Sequence, residues 1–174
     1  MQKRAKAVTF KGNPLTLLGP ELKVGDKAPD FACVSQGLEV IKLSNTPAKA
    51  RLFLAVPSLD TPVCSEETKK FDDAIGSIKD KIAAYTISLD LPFAQKRYCS
   101  DKSIGAMQTL SDVHNQSFGQ SYGCLIEGLP VPLLSRAVFV VDKGGTITYV
   151  EYVPEVASHP NYDTALAALK QAAG

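Results

Sequence analysis

The chain has 174 residues, enough for one domain whose core needs neither disulfide staples nor a structural metal. It is 45% hydrophobic and 21% charged, ordinary for a globular protein, and no apolar run exceeds five residues, so no segment reads as a membrane-spanning helix. Nineteen Lys and Arg against eighteen Asp and Glu leave a net charge of +1, which removes any electrostatic argument for nucleic acid or an anionic membrane as partner. The basic start, Lys3-Arg4-Ala5-Lys6, is too short to change that and reads as a solvated terminus. The residues after Lys6 lack the apolar core of a secretory signal. Four cysteines are too few for a disulfide scaffold. A reducing cytoplasm is therefore the expected compartment.

In chain order, Ala5 to Phe10 and Pro14 to Leu18 are extended runs around Lys11-Gly12-Asn13 and predict an N-terminal hairpin. Phe31 to Val34 and Val40 to Leu43 are short strands with Gly37 turning between them. The run Leu52-Phe53-Leu54-Ala55-Val56 predicts a buried central strand. Cys64 to about Ile75 predicts a helix, with Phe71 and Ile75 on one face and two acids, Glu66 and Glu67, in its first turn. Ile82 to Leu89 is a second central strand, Phe93 to about Cys99 a short helix, Gln108 to Leu110 an edge strand, and His114 to Tyr122 a helix. Arg136 to Val141 and Thr146 to Val153 pair around Asp142-Lys143-Gly144-Gly145. Tyr162 to Ala172 closes the chain as an alanine-rich helix with Ala165, Leu166 and Leu169 inward. Strands alternating with helices, then a hairpin and a helix, specify an α/β layered domain over residues 1–174, with no repeat or linker.

The segment Pro57-Ser58-Leu59-Asp60-Thr61-Pro62-Val63-Cys64 is where chemistry concentrates. It carries Cys64 from the C-terminal end of a buried strand into the first turn of a helix, where unpaired N–H groups and the helix dipole favour negative charge. A thiol there is biased toward thiolate, the reactive form. A free cysteine is most often a small buried hydrophobe. Here Pro57 and Pro62 fix the turn, Thr61 offers a hydroxyl one turn before the thiol, and no hydrophobic period accounts for Cys64.

Pro57-x-x-x-Thr61-x-x-Cys64 resembles the peroxidatic signature of the peroxiredoxins, and the longer PSLDTPVC string resembles their bacterial thiol peroxidase branch. Leu89-Asp90-Leu91-Pro92-Phe93-Ala94-Gln95-Lys96-Arg97-Tyr98-Cys99 is similar to that branch's resolving-cysteine segment. Ser135-Arg136-Ala137-Val138-Phe139-Val140-Val141-Asp142 is similar to the strand carrying its active-site arginine. Phe10-Lys11-Gly12-Asn13-Pro14 and Asn161-Tyr162-Asp163-Thr164-Ala165-Leu166 extend the likeness to both ends of the chain. The resemblance implies a thioredoxin-like fold with the hairpin as an addition. It also implies a peroxidase acting on hydrogen peroxide and alkyl hydroperoxides, a homodimer, thioredoxin as reductant, and no cofactor. It assigns Cys64 as the attacking thiol, Cys99 as an intramolecular resolving thiol, Arg136 and Thr61 as groups that orient sulfur and peroxide, and Pro57 as a shield.

The residues alone leave these roles open. An arginine at a strand start is usually a solvated surface group, Thr61 reads equally as a helix N-cap, and Cys99 equally as a packing residue. Two helices on separate strands rarely bring their Cα atoms within the roughly 7 Å a disulfide needs, so local unwinding around Cys64 and Cys99 is expected. Cys33 and Cys124 sit among apolar neighbours and read as core. Spacings of 31, 35 and 25 residues between the cysteines contain no C-x2-C pair, and His114 and His159 have no ligand-like neighbour, so neither a zinc site nor a thioredoxin-type exchanger is indicated. No G-x-G-x-x-G or P-loop points to a nucleotide. Asn115-Gln116-Ser117 is a chance sequon. A non-enzymatic redox sensor using Cys64 as its signal, and an enzyme resolved by an external thiol, are the alternatives.

Overall fold

The computed structural model describes residues 1–174 and holds two sheets. The larger is built on β5 (Ala50–Ala55), every residue of which is buried. β6 (Ile82–Ser88) runs parallel to it on one side and β9 (Ala137–Val141) antiparallel on the other. Outward from β6 come β7 (Gln108–Ser111), β3 (Ala32–Ser35) and β4 (Val40–Lys42); outward from β9 comes β10 (Ile147–Tyr152).

The period of two along β5 divides the core. Leu52 and Leu54 face α1 (Pro62–Ile75) and α4 (Tyr162–Ala173), packing on Phe71, Ile75, Ala165 and Leu169. Phe53 and Ala55 face an aromatic layer of Phe31, Phe118, Tyr122 and Phe139. In that layer Phe118 and Tyr122, from α3 (Ser117–Ser121) and the residue that ends it, stack with centroids 4.1 Å apart. α2 (Pro92–Asp101) crosses between β6 and β7. This is the α/β layering the sequence predicts, with the thioredoxin-like arrangement the resemblance implies. No helix is long and apolar enough to cross a membrane.

The second sheet is the N-terminal hairpin, β1 (Lys3–Phe10) and β2 (Asn13–Leu18), extended by a strand the sequence reading missed, β8 (Leu125–Glu127). β8 pairs with β2 from more than a hundred residues away. Val8, Leu17, Ile126 and Val156 form a small core beneath it. The approach is close: a Cβ on Gly123, whose φ is +63°, would lie 1.8 Å from the Pro20 carbonyl oxygen, so only glycine fits. The Glu155 carboxylate clips the hairpin by accepting from the Lys11 and Gly12 amides at 2.9 and 3.1 Å and from Thr9 Oγ1 at 2.8 Å.

Three expectations are corrected. Gln108 to Leu110 is not an edge strand: β7 lies inside the sheet between β6 and β3, and the edges are β4 and β10. Its buried polar residues mimic an exposed strand but are satisfied internally: Thr109 accepts from Gln36 at 2.7 Å and Ser111 donates to the Asp90 carbonyl at 2.6 Å. The helix expected over His114 to Tyr122 is confined to Ser117–Ser121, because Gln116 takes a left-handed φ of +56° and the buried Asp112 carboxylate accepts from the Phe118 and Gly119 amides. Finally, α1 begins at Pro62, so Cys64 is its third residue and Glu66 and Glu67 fall beyond the first turn.

Candidate active site

The loop from β5 to α1 is held by a carboxylate. Asp90, just past β6, accepts from Ser58 Oγ at 2.7 Å, from the Leu59 amide at 2.8 Å and from Ser88 Oγ at 2.7 Å. It thereby ties the Pro57–Cys64 segment to the end of β6 and to the approach to α2. Thr61 occupies the N-cap position of α1 with an extended backbone, but its side chain makes no cap hydrogen bond; Oγ1 donates to the Ser58 carbonyl at 2.7 Å. Thr61 is exposed and Pro57 half-buried. With Phe10, Leu15, Val63 and Ile126 they line an almost wholly apolar trough of about 260 Å³ between α1 and the N-terminal sheet.

Cys64 is fully buried, packed with Val56, Leu59 and Tyr98. Arg136 approaches it from the residue before β9, one position short of the strand the sequence reading gave it. Far from being a solvated surface group, Arg136 is only 2% exposed and is gripped at three points. Nε donates to the Val156 carbonyl at 3.0 Å, Nη1 donates to Glu67 Oε2, and Nη2 donates to Cys64 Sγ at 3.3 Å. Such a fork needs a planar guanidinium; an ammonium could not serve all three directions at once. Arg136 is held above its ordinary range: burial works against it but is outweighed by the facing Glu67 and Cys64.

Glu67 is the residue sequence reasoning missed. It lies one turn after Cys64 on the buried face of α1 that also carries Thr68, Phe71 and Ile75, a spacing that was legible. A glutamate there reads as solvated until its partner is known to be buried. Loss of hydration pushes the Glu67 carboxyl up to about 7, with Arg136 pulling the other way. Its second oxygen, Oε1, has no partner.

Cys99 is half-buried on α2 and is a free thiol, as are the other three cysteines. Its sulfur accepts from Gln36 Nε2 at 3.4 Å and lies 4.0 Å from Thr109 Oγ1. Burial raises its pKa, opposed by the Thr109 and Gln36 contacts. The preceding residue, Tyr98, donates from Oη to the Ser65 carbonyl at 2.7 Å and so joins α2 to the start of α1. Beyond α2, Asp72 of α1 accepts from the Gly105, Ala106 and Met107 amides, with its shortest contacts at 2.7 Å. Cys33 and Cys124 lie in the aromatic layer, as expected of core cysteines. Cys33 donates to Asp112 Oδ1 at 3.5 Å, and burial, reinforced by that carboxylate, pushes both thiols far above the usual range. No group of three or more His, Cys, Asp or Glu is placed to hold a metal ion.

The structure thus brings Cys64 and Arg136 together, sets Thr61 and Pro57 along the adjoining trough, and holds Cys99 on a neighbouring helix. A buried sulfur facing a guanidinium, with the guanidinium fixed by a carboxylate and a carbonyl, stabilises negative charge as it forms. Residues 23–166 match the family model described as Redoxin. The chain is 48% identical over 166 residues to a thiol peroxidase of Halalkalibacterium halodurans, covering 95% of this chain and 98% of that protein. It is 49% identical over 164 residues to a thiol peroxidase of Oceanobacillus iheyensis, covering 94% and 98%. Among solved structures, a peroxiredoxin-like protein from Aquifex aeolicus superimposes with a TM-score of 0.89 at 42% identity, covering 97% of this chain and 98% of that one. The chain therefore belongs to the thiol peroxidases of the peroxiredoxin family and is a peroxidase enzyme.

Proposed function

We propose that this enzyme reduces hydrogen peroxide and alkyl hydroperoxides with Cys64 as nucleophile, Cys99 as intramolecular resolving thiol, and a thioredoxin-like dithiol protein as reductant. The observation that carries the reading is the Arg136 fork, which gives one N–H to Cys64 Sγ and another to Glu67. The Cys64 thiolate attacks the terminal oxygen, the O–O bond breaks, and the leaving hydroxide or alkoxide takes a proton to become water or alcohol. Cys64 is then a sulfenic acid. Arg136 serves the sulfur before attack and polarises the oxygens during it. Thr61 and Pro57 shape the entrance, and the apolar trough beside them suits an alkyl group. The Cys99 thiol then attacks the Cys64 sulfur: the S–S bond forms, the S–O bond breaks, and the hydroxyl departs as water with the thiol proton. The reductant's two thiols return both cysteines to the reduced state. Four unpaired cysteines suit a reducing cytoplasm, and family membership supports a homodimer.

The test is turnover of peroxide with thioredoxin and its reductase. Cys64→Ser should abolish turnover while the fold survives, because a serine hydroxyl does not supply the anionic nucleophile. Cys99→Ser should consume one equivalent of peroxide and stall. Turnover retained in Cys64→Ser overturns the nucleophile; full thioredoxin-dependent turnover in Cys99→Ser overturns the resolving role and favours an external thiol.

A further inference from the structure

Cys99 is not idle in the reduced protein. It lines a cavity of about 560 Å³ together with Gln36, Gln108 and Thr109. Gln36 sits in the turn between β3 and β4. That turn is itself well ordered: the Leu38 amide donates to the Ser35 carbonyl, and the Glu39 amide to Ser35 Oγ. From it the Gln36 side chain reaches across to Cys99 on α2 and to Thr109 on β7. A side-chain amide nitrogen has two hydrogens. One goes to Thr109 Oγ1 at 2.7 Å and the other to Cys99 Sγ at 3.4 Å. Thr109 is buried inside the sheet, so this anchor does not move with α2.

We propose that Gln36 is a positioning residue that parks the resolving sulfur against β7, and that leaving this position limits the rate of Cys64–Cys99 disulfide closure. The inference rests on Cys99 being the resolving thiol. Cys99 packs at the margin of the cluster of Val56, Leu59, Cys64 and Tyr98, but its sulfur is hydrogen-bonded away from that cluster, to the β3–β4 turn beside β7. To meet the sulfenic sulfur it must break the Gln36 contact while α2 releases the Tyr98–Ser65 bond. While Cys99 stays parked, the Cys64 sulfenic acid is open to a second peroxide: its sulfur gains another oxygen, the O–O bond breaks, and the products are the sulfinic acid and water or alcohol. Gln36 therefore sets the partition between closure and over-oxidation without touching the peroxide or Cys64.

The variant that isolates the contact is Gln36→Met, which keeps the length of the side chain and removes both donors. Reduced protein is oxidised with one equivalent of hydrogen peroxide, quenched at intervals with a thiol-alkylating reagent, and read by mass spectrometry. Disulfide closure should be about threefold to tenfold faster than in wild type, the range expected for loss of the one ordinary hydrogen bond to the sulfur. The rate of the first step, Cys64 oxidation, should be unchanged. At excess peroxide the fraction of chain carrying two extra oxygens on Cys64 should fall. Thr109→Val and Thr109→Ser supply the second arm: valine removes the hydroxyl that anchors Gln36 and should speed closure likewise, while serine keeps it and should restore the wild-type rate. Closure that is unchanged or slower in Gln36→Met, or that does not separate Thr109→Val from Thr109→Ser should Gln36→Met fail to fold, overturns the proposal. A wild-type protein that forms no Cys64–Cys99 disulfide overturns the resolving role on which it stands.

Discussion

Cys64 and Cys33 are both wholly buried, yet they lie in opposite fields. Cys64 faces the N–H of a guanidinium; Cys33 faces a carboxylate oxygen. Around Cys33 burial and charge act together to keep the proton on sulfur, and the thiol is pushed far out of the reactive range. Cys64 instead accepts an N–H from Arg136 and sits in the first turn of α1, where unpaired amides point toward it. Burial alone therefore does not decide which cysteine reacts. The proposed assignment follows the sign of the nearest charge, and each site uses a second buried group, Glu67 or the α3 amides, to hold that charge in place.

The contrast breaks most completely at Arg136. Arg136→Met removes the cation and leaves Glu67 buried without a partner, which should cost about 3–5 kcal/mol of stability and slow Cys64 oxidation more than a hundredfold. Arg136→Lys keeps the charge but not the fork, and should still slow oxidation more than tenfold. Rates measured by competition for hydrogen peroxide, beside denaturant unfolding, separate the two effects; a rate within twofold of wild type in Arg136→Lys would show that charge alone suffices.

Glu67 sharpens the comparison through pH. Its carboxyl is raised from about 4.5 to about 7 in the folded protein, so between those values the native state holds a proton that the unfolded chain has released. Its contribution to stability is then full below about pH 4.5 and is lost as pH rises through 7, on the order of 3 kcal/mol over that window. Glu67→Gln cannot lose that proton. Unfolding at pH 5 and pH 8 should show wild type losing stability relative to Glu67→Gln as pH rises; parallel curves would contradict the raised carboxyl.

At the other pole, Asp112→Asn removes the charge facing Cys33 and sets an NH2 or an oxygen, but not two oxygens, against the Phe118 and Gly119 amides. It should cost about 1–3 kcal/mol through the lost acceptor and leave peroxide turnover unchanged. The smallest effects belong to Cys33→Ala and Cys124→Ala, about 1 kcal/mol each in denaturant unfolding with turnover within twofold of wild type. A loss of activity beyond tenfold in either, in a folded variant, would mean that resolution runs through the aromatic layer rather than α2.

The sequence carried much of this site in local signals. The step from Leu52–Val56 into Pro57–Cys64 reads as strand, rigid turn and helix from adjacent residues, and the structure places Cys64 at the third position of α1. The N-terminal hairpin, the two parallel strands and the closing helix are legible for the same reason. What was not legible depends on residues far apart in the chain. Glu67 turns inward because Arg136, 69 positions away, is buried above it. Asp90 matters because Ser58 and Leu59 come to it from another loop. β8 is only three residues between Gly123 and Gly128, too short to show a period, and it pairs because β2 offers it an edge. The interior place of β7 was hidden by its polar residues, whose partners lie on other elements.

The Asp72 carboxylate, bonded to three successive amides just after α2, fixes where the helix can be reeled out from. Asp90 does the same on the other side. Cys99 lies between these two moorings, six residues from Gly105. A six-residue tether reaches at most about 20 Å when fully extended. On the proposed mechanism an unwound α2 would sweep its sulfur through a small volume around Cys64 instead of the surrounding solution, at an effective concentration in the millimolar range. A thiol on another molecule would have to match that figure to compete, so the oxidised enzyme should migrate as a single chain on non-reducing electrophoresis even when concentrated.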